Sequence, residues 1–247
     1  MNYNLKYVFF KNTIFLKPYK YNLLNRVTMF PIADENFSTE RPYVNYSLII
    51  LNIVLYTINY FNNDLMNSIF AFIPNNFILG VEPWTIITHQ FMHGSWSHLL
   101  GNMWFLIIFG DNIEATIGKI KYIIFYLMCG VIAALSHMAF NLDSVIPTVG
   151  ASGAISGILG AYIILYPKNK ISTIIPIGFV RIFKIEALYY LIIWFVLQLV
   201  FNIFDPNGGV AYLAHLGGFL GGIVLIKIFG GKRKKISTNS LYTWENS

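Results

Sequence analysis

Six apolar segments, at residues 44–61, 98–113, 121–140, 151–166, 187–204 and 210–230, dominate the chain from its first span to its basic tail. A helix needs about 20 mostly apolar residues to cross the hydrocarbon core of a bilayer. The second and fourth segments are shorter than that and carry polar residues, as expected of helices that start below the membrane surface and are shielded by their neighbours. Only 11% of the residues are charged, whereas a soluble globule carries about a quarter. So little charge could not coat a water-exposed surface, so lipid must cover much of the chain. The sequence predicts an all-α integral membrane protein with six transmembrane helices.

The positions of the charges set the orientation. Lys6, Lys11, Lys17, Lys20, Arg26 and Arg41 precede the first span, and Lys119 and Lys121 follow the second. Lys168, Lys170, Arg181 and Lys184 follow the fourth, and Lys227, Lys232, Arg233, Lys234 and Lys235 close the chain. All 17 Lys and Arg therefore fall on one side. The opposite connections, 62–97, 141–150 and 205–209, hold none, although they carry Asp64, Glu82, Asp143 and Asp205. The positive-inside rule then puts both termini in the cytoplasm. A missed span would scramble this partition. The net charge of +6 therefore reflects membrane topology. Nucleic-acid binding is not indicated, because the basic residues form no patch interleaved with aromatics on a soluble domain.

The domain reading has three parts: a basic cytoplasmic extension (1–41), the six-span domain (42–231) and a basic cytoplasmic tail (232–247). Residues 1–33 contain no acid and two short apolar bursts, neither long enough for a secretory signal. A transit peptide is an alternative, but low arginine and serine content favours a plain extension, or Met29 as the true start. Cys129 stands alone inside an apolar run and reads as a small buried hydrophobe.

Polar groups inside spans are expensive and point to function by default. His98 and Asn102, four apart, share one helix face and can donate hydrogen bonds without a fixed charge; an interhelical polar contact is the plainer alternative. Ser152 lies in Gly150-Ala151-Ser152-Gly153 at the opening of a span, where backbone N–H groups lack helical partners and the dipole favours negative charge. A serine that merely bonds back to a carbonyl one turn earlier is its plainer reading. His215 is followed by two small-residue ridges, Gly217/Gly221 and Gly218/Gly222, and the fourth span carries Gly153, Gly157 and Ala161 and also Ser156 and Gly160. Such faces let helix backbones approach closely, which could bring the His215 imidazole to the Ser152 hydroxyl. His89, His93 and His98 are spaced like metal ligands, but no acid lies within the repeat and the zincin pattern is absent. No metal is expected, and His89 and His93 are expected to satisfy loop backbone groups.

Taken together, these residues resemble the rhomboid family of intramembrane serine proteases, in its bacterial-type six-span form. The marks run in order: His93 in Met-His-Gly, His98 with Asn102, Glu114 and Gly118, Gly-Ala-Ser152-Gly, and Ala-His215-x-x-Gly-x-x-x-Gly. The resemblance covers residues 29–231. It implies a helical bundle with a membrane-embedded loop (62–97) between the first two spans, Trp84 matching that loop's tryptophan. It further implies Ser152 as nucleophile, His215 as base, and His98 and Asn102 as oxyanion donors. Gly153, Gly157, Gly218 and Gly222 would pack the helices. No cofactor is implied. The partners would be transmembrane protein substrates and the bilayer. An inactive rhomboid-like adaptor that binds transmembrane helices is the alternative, although such a protein is expected to lack the serine or the histidine. A small transporter is a further alternative and predicts internal repeats, which the sequence lacks.

Two positions depart from the family pattern. Thr85 stands where an arginine often follows the loop tryptophan, and Ser156 where many members carry an aromatic that packs on the histidine. The second change predicts a less rigidly held His215.

Overall fold

A computed structural model describes residues 29–35, 41–177, 179–204 and 209–231. Helix α1 (Tyr43–Phe61) leads into a connection built of three short helices, α2 (Leu65–Phe70), α3 (Pro74–Ile78) and α4 (Thr85–Thr88), and a 3-10 turn (His89–Phe91). Helix α5 (Trp96–Phe105) continues through a π turn (Leu106–Gly110) into α6 (Asp111–Ile117) without a break. After α7 (Lys119–Ala139) and α8 (Ser152–Leu165) comes a pair of strands, β2 (Lys170–Ile177) and β3 (Phe179–Glu186), then α9 (Ala187–Phe204) and α10 (Tyr212–Ile228). Strand β1 (Phe30–Asp34) precedes α1.

Polarity in α1 runs opposite to that of a soluble helix. Its buried face holds Asn45, Asn52 and Asn59 at a seven-residue spacing, with Leu48 and Tyr56 between them. Its exposed face is Ile50, Leu51, Ile53, Val54 and Ile58. Helices that bury amides and expose aliphatic side chains are at home in lipid, where polar groups must find protein partners. Among the described residues three helices, α1, α7 and α9, are long and apolar enough to cross a membrane; α8 and α10 are shorter apolar helices.

Pro42 offers no side-chain cap to α1. The carboxylate of Glu114 replaces it, accepting from the N–H of Val44 at 3.1 Å and of Asn45 at 2.7 Å. The Asn45 side chain donates to the Leu106 carbonyl, at the start of the π turn, and accepts from the Tyr122 hydroxyl. Any Cβ at Gly110 would run into Asn45 and lie 2.6 Å from that hydroxyl, so glycine is required there. One junction thus fixes α1, the π turn and α7.

The mostly helical bundle also carries a three-stranded antiparallel sheet, order β1-β2-β3, which corrects the all-α expectation. Phe30 faces Ile174 and Asp34 faces Ile171. Residues 30–34, assigned from sequence to the N-terminal extension, are therefore built into the sheet. Asp34 also accepts from Asn112 at 2.8 Å and Tyr162 at 2.5 Å, while Trp104 donates to the Pro31 carbonyl at 2.6 Å. At the strand's end Lys184 donates to Glu35 at 2.9 Å, a bond that holds this exposed carboxyl below the usual carboxylate range.

Candidate active site

Ser152 opens α8, a helix buried over nearly all of its length and packed between α7 and α10. The chain reaches it through a fixed turn. Phe72 and Thr148 exchange two backbone hydrogen bonds, and the Gly150 N–H donates to the His89 carbonyl at 2.9 Å. Gly150 has φ +127°, and a Cβ there would lie 2.7 Å from His98 Nε2, so both backbone and space demand glycine. No side chain caps α8, so its first N–H groups have no helical acceptors.

His215 lies in the first turn of α10 and reaches Ser152 because two backbones nearly touch. A Cβ on Gly218 would collide with the Gly153 carbonyl, and one on Gly222 with the Gly157 carbonyl. The other ridge turns to α7, where Gly217 meets Ser136 and a Gly221 Cβ would lie 2.8 Å from Ile132. Each glycine pair therefore serves a different helix. Gly153 itself lies against Ala133, and Gly157 against Cys129.

The Ser152 Oγ and His215 Nε2 are 2.8 Å apart. On the far side of the ring, Nδ1 lies 2.8 Å from Gln198 Oε1. Trp194 stacks on the imidazole at 6.2 Å and 29°, and Tyr212 meets it edge-on at 6.3 Å. The Ser156 hydroxyl bonds back to the Ser152 carbonyl at 2.7 Å. Trp194 and Gln198, residues of α9 that sequence reasoning missed, contact the ring instead. Their one local signal was Gln198, an amide in a mostly apolar span one turn after a tryptophan, although Asn202 in the same span carries an amide too.

His98 and Asn102 line the same cavity of about 260 Å³ as Ser152 and His215, together with Trp194 and Gln198. The Asn102 amide donates to His93 Nε2 at 3.0 Å, and the His93 and His98 rings are 5.1 Å apart. His93, expected to serve loop backbone, instead orients Asn102. His89 does serve backbone, at 2.8 Å from the Thr85 carbonyl. Thr85 is buried and donates its hydroxyl to the Glu82 carbonyl. Among the described residues no three His, Cys, Asp or Glu side chains form a metal-binding group.

Comparison with known proteins gives the family. A family model described as "Rhomboid domain" matches residues 80–232. The chain is similar to RHOMBOID-like protein 1 of Arabidopsis thaliana, 32% identical over 148 residues, covering 60% of this chain and 35% of that protein. It is similar to RHOMBOID-like protein 6, mitochondrial, of the same plant, 30% identical over 155 residues, covering 60% and 44%. It also resembles Rhomboid protease GluP of Bacillus subtilis (strain 168), 26% identical over 198 residues, covering 78% of this chain and 36% of that one. The chain spans less than half the length of these curated relatives. Its apolar helices and the domain match make it an integral membrane protein. Because that match extends over more than half of its residues, the chain belongs to the rhomboid family.

Proposed function

We propose that this chain is an intramembrane serine endopeptidase that hydrolyses a peptide bond in or beside a transmembrane segment of another protein. Ser152 is the nucleophile and His215 the base. The observation that supports this is the 2.8 Å approach of Ser152 Oγ to His215 Nε2 inside a cavity that His98 and Asn102 also line. As Oγ attacks the scissile carbonyl, its proton passes to Nε2, and the carbonyl oxygen becomes an oxyanion held by His98, Asn102 and the Ser152 N–H. The amine leaves with the proton from Nε2, and water then releases the acyl group by the same steps in reverse order. No cofactor enters this chemistry.

The membrane arrangement follows from the same reading. Six spans are formed by α1, α5–α6, α7, α8, α9 and α10, with the α2–α4 connection embedded beside them and both termini cytoplasmic. The connection exposes Leu65, Ile69, Leu79 and Trp84, side chains suited to lipid. The six-span domain then runs from residue 42 to 231, with β1 of the preceding basic segment joined to its sheet and a basic tail after it. Ser152 opens its helix from the non-cytoplasmic end, so cleavage falls in the outer half of the bilayer. An intact substrate helix hides its carbonyls, so substrates should carry small or helix-breaking residues near the cut.

The test is to purify wild type, Ser152→Ala and His215→Ala and incubate each with a model transmembrane substrate in liposomes. Cleavage by wild type and its loss in both variants is expected. Cleavage that survives both substitutions overturns the proposal. An inactive wild type would favour a rhomboid-like adaptor that holds transmembrane helices without cutting them.

A further inference from the structure

A hydroxyl can be activated only by a ring nitrogen that still has its lone pair. In neutral imidazole one nitrogen carries the proton and the other accepts, and the partner of the far nitrogen decides which. Gln198 Oε1 has no hydrogen to give, and it lies 2.8 Å from His215 Nδ1. Nδ1 is therefore the protonated nitrogen. That leaves Nε2 with its lone pair facing the Ser152 hydroxyl, which donates to it at 2.8 Å.

The site is built to keep that bond. Gln198 is only 9% exposed, so little water competes for Nδ1. It follows Trp194 by one helical turn, and Trp194 stacks on the same imidazole. Gly218 and Gly222 fix the histidine's own helix against α8. Two successive turns of α9 thus hold the ring, one by its face and one by its edge.

We propose that Gln198 is a positioning residue that makes the pair a Ser152–His215–Gln198 triad, setting the His215 tautomer and keeping Nδ1–H bonded as Nε2 takes the serine proton. This inference rests on the reading of Ser152 and His215 as the catalytic pair. Losing a charged partner of a catalytic histidine costs about 10⁴ in rate. A neutral amide is worth less, and the scale is that of hydrogen-bond partners behind metal-bound histidines, whose loss typically costs about ten- to a hundredfold.

The experiment compares wild type, Ser152→Ala, Gln198→Met and Gln198→Glu. Methionine fills a similar volume without an acceptor, and glutamate presents an oxygen whichever way it rotates. With a transmembrane substrate, Q198M is expected to lose about ten- to a hundredfold in kcat with KM within about twofold, and Q198E to recover most of that loss. In ¹⁵N-histidine NMR, with the resonance identified by its loss in H215A, His215 should carry its proton on Nδ1 in wild type. In Q198M the proton should move towards Nε2. If Q198M fails to fold, Gln198→Asn, a methylene too short to reach Nδ1, takes its place. Wild-type kcat in Q198M, or an unchanged tautomer, overturns the proposal. A wild type that never cleaves overturns the catalytic reading instead, and the NMR arm still decides the role of Gln198.

Discussion

The carboxylate of Glu114 accepts the backbone N–H of Asn45 at 2.7 Å, so a residue of α6 caps a helix that begins about seventy positions earlier. Glu114 is buried and also takes the Val44 N–H. Replacing it by alanine would leave two donors unpaired next to a helix N-terminus. Each such group costs about 1–3 kcal/mol, and the carboxylate's favourable interaction with the helix dipole is lost as well. Glu114→Ala should therefore melt well below wild type in detergent, with Glu114→Gln in between because it keeps one acceptor. Equal melting temperatures for E114A and wild type would remove this capping role.

The Gly222–Gly157 contact sets how closely α10 approaches α8. A Cβ at 222 collides with backbone, which cannot rotate away. Overpacking of a tight contact costs about 1–3 kcal/mol and here would also push His215 away from Ser152. Gly222→Val should lose most proteolysis while retaining a folded, monodisperse protein, whereas Gly230→Val, where nothing lies within 4 Å of the added Cβ, tests mainly its positive φ. Labelling of Ser152 by a fluorophosphonate probe reads the difference directly: strong labelling of G222V would contradict the packing argument.

How far the sequence carried this site depends on the range of each interaction. Ser152 and His215 were legible because glycine ridges flank both, and a small-residue ridge has a spacing that can be read without coordinates. Gln198 has no such spacing, and its partner lies on the next helix. The Asn45, Asn52 and Asn59 stripe of α1 has a seven-residue period, but it gains meaning only once Glu114 and Tyr122 are placed beside Asn45. The sheet was illegible for another reason. Strand β1 has five residues, and Phe30 finds its partner only at Ile174, a pairing no local periodicity encodes.

His93 accepts from the Asn102 amide at 3.0 Å, which fixes the direction in which the remaining N–H of that amide points. Removing an oxyanion donor outright costs about 10²–10³ in kcat. Loosening one costs less, so His93→Ala should lower kcat more mildly than Asn102→Ala. The double variant should be no worse than N102A alone, because His93 acts through Asn102. Multiplicative losses in kinetic assays of the three variants would show that His93 acts independently.

Ser156 and Trp194 offer opposite expectations. Ser156 is the position where the family pattern places an aromatic against the histidine, yet it brings no aromatic ring and its hydroxyl bonds the Ser152 carbonyl one turn back. Such back-bonds contribute little to helix stability, so Ser156→Ala should keep kcat within about twofold. Trp194 stacks on the His215 ring, which under the proposed mechanism becomes cationic when it takes the serine proton. A cation over an indole face is worth about 0.5–2 kcal/mol, so Trp194→Ala should lower kcat by roughly two- to thirtyfold. Trp194→Phe should recover part of the loss by restoring an aromatic face. The order S156A above W194F above W194A in kcat is the signature of a histidine held from α9. If S156A were the most damaged of the three, the ring would have to be held from α8 instead.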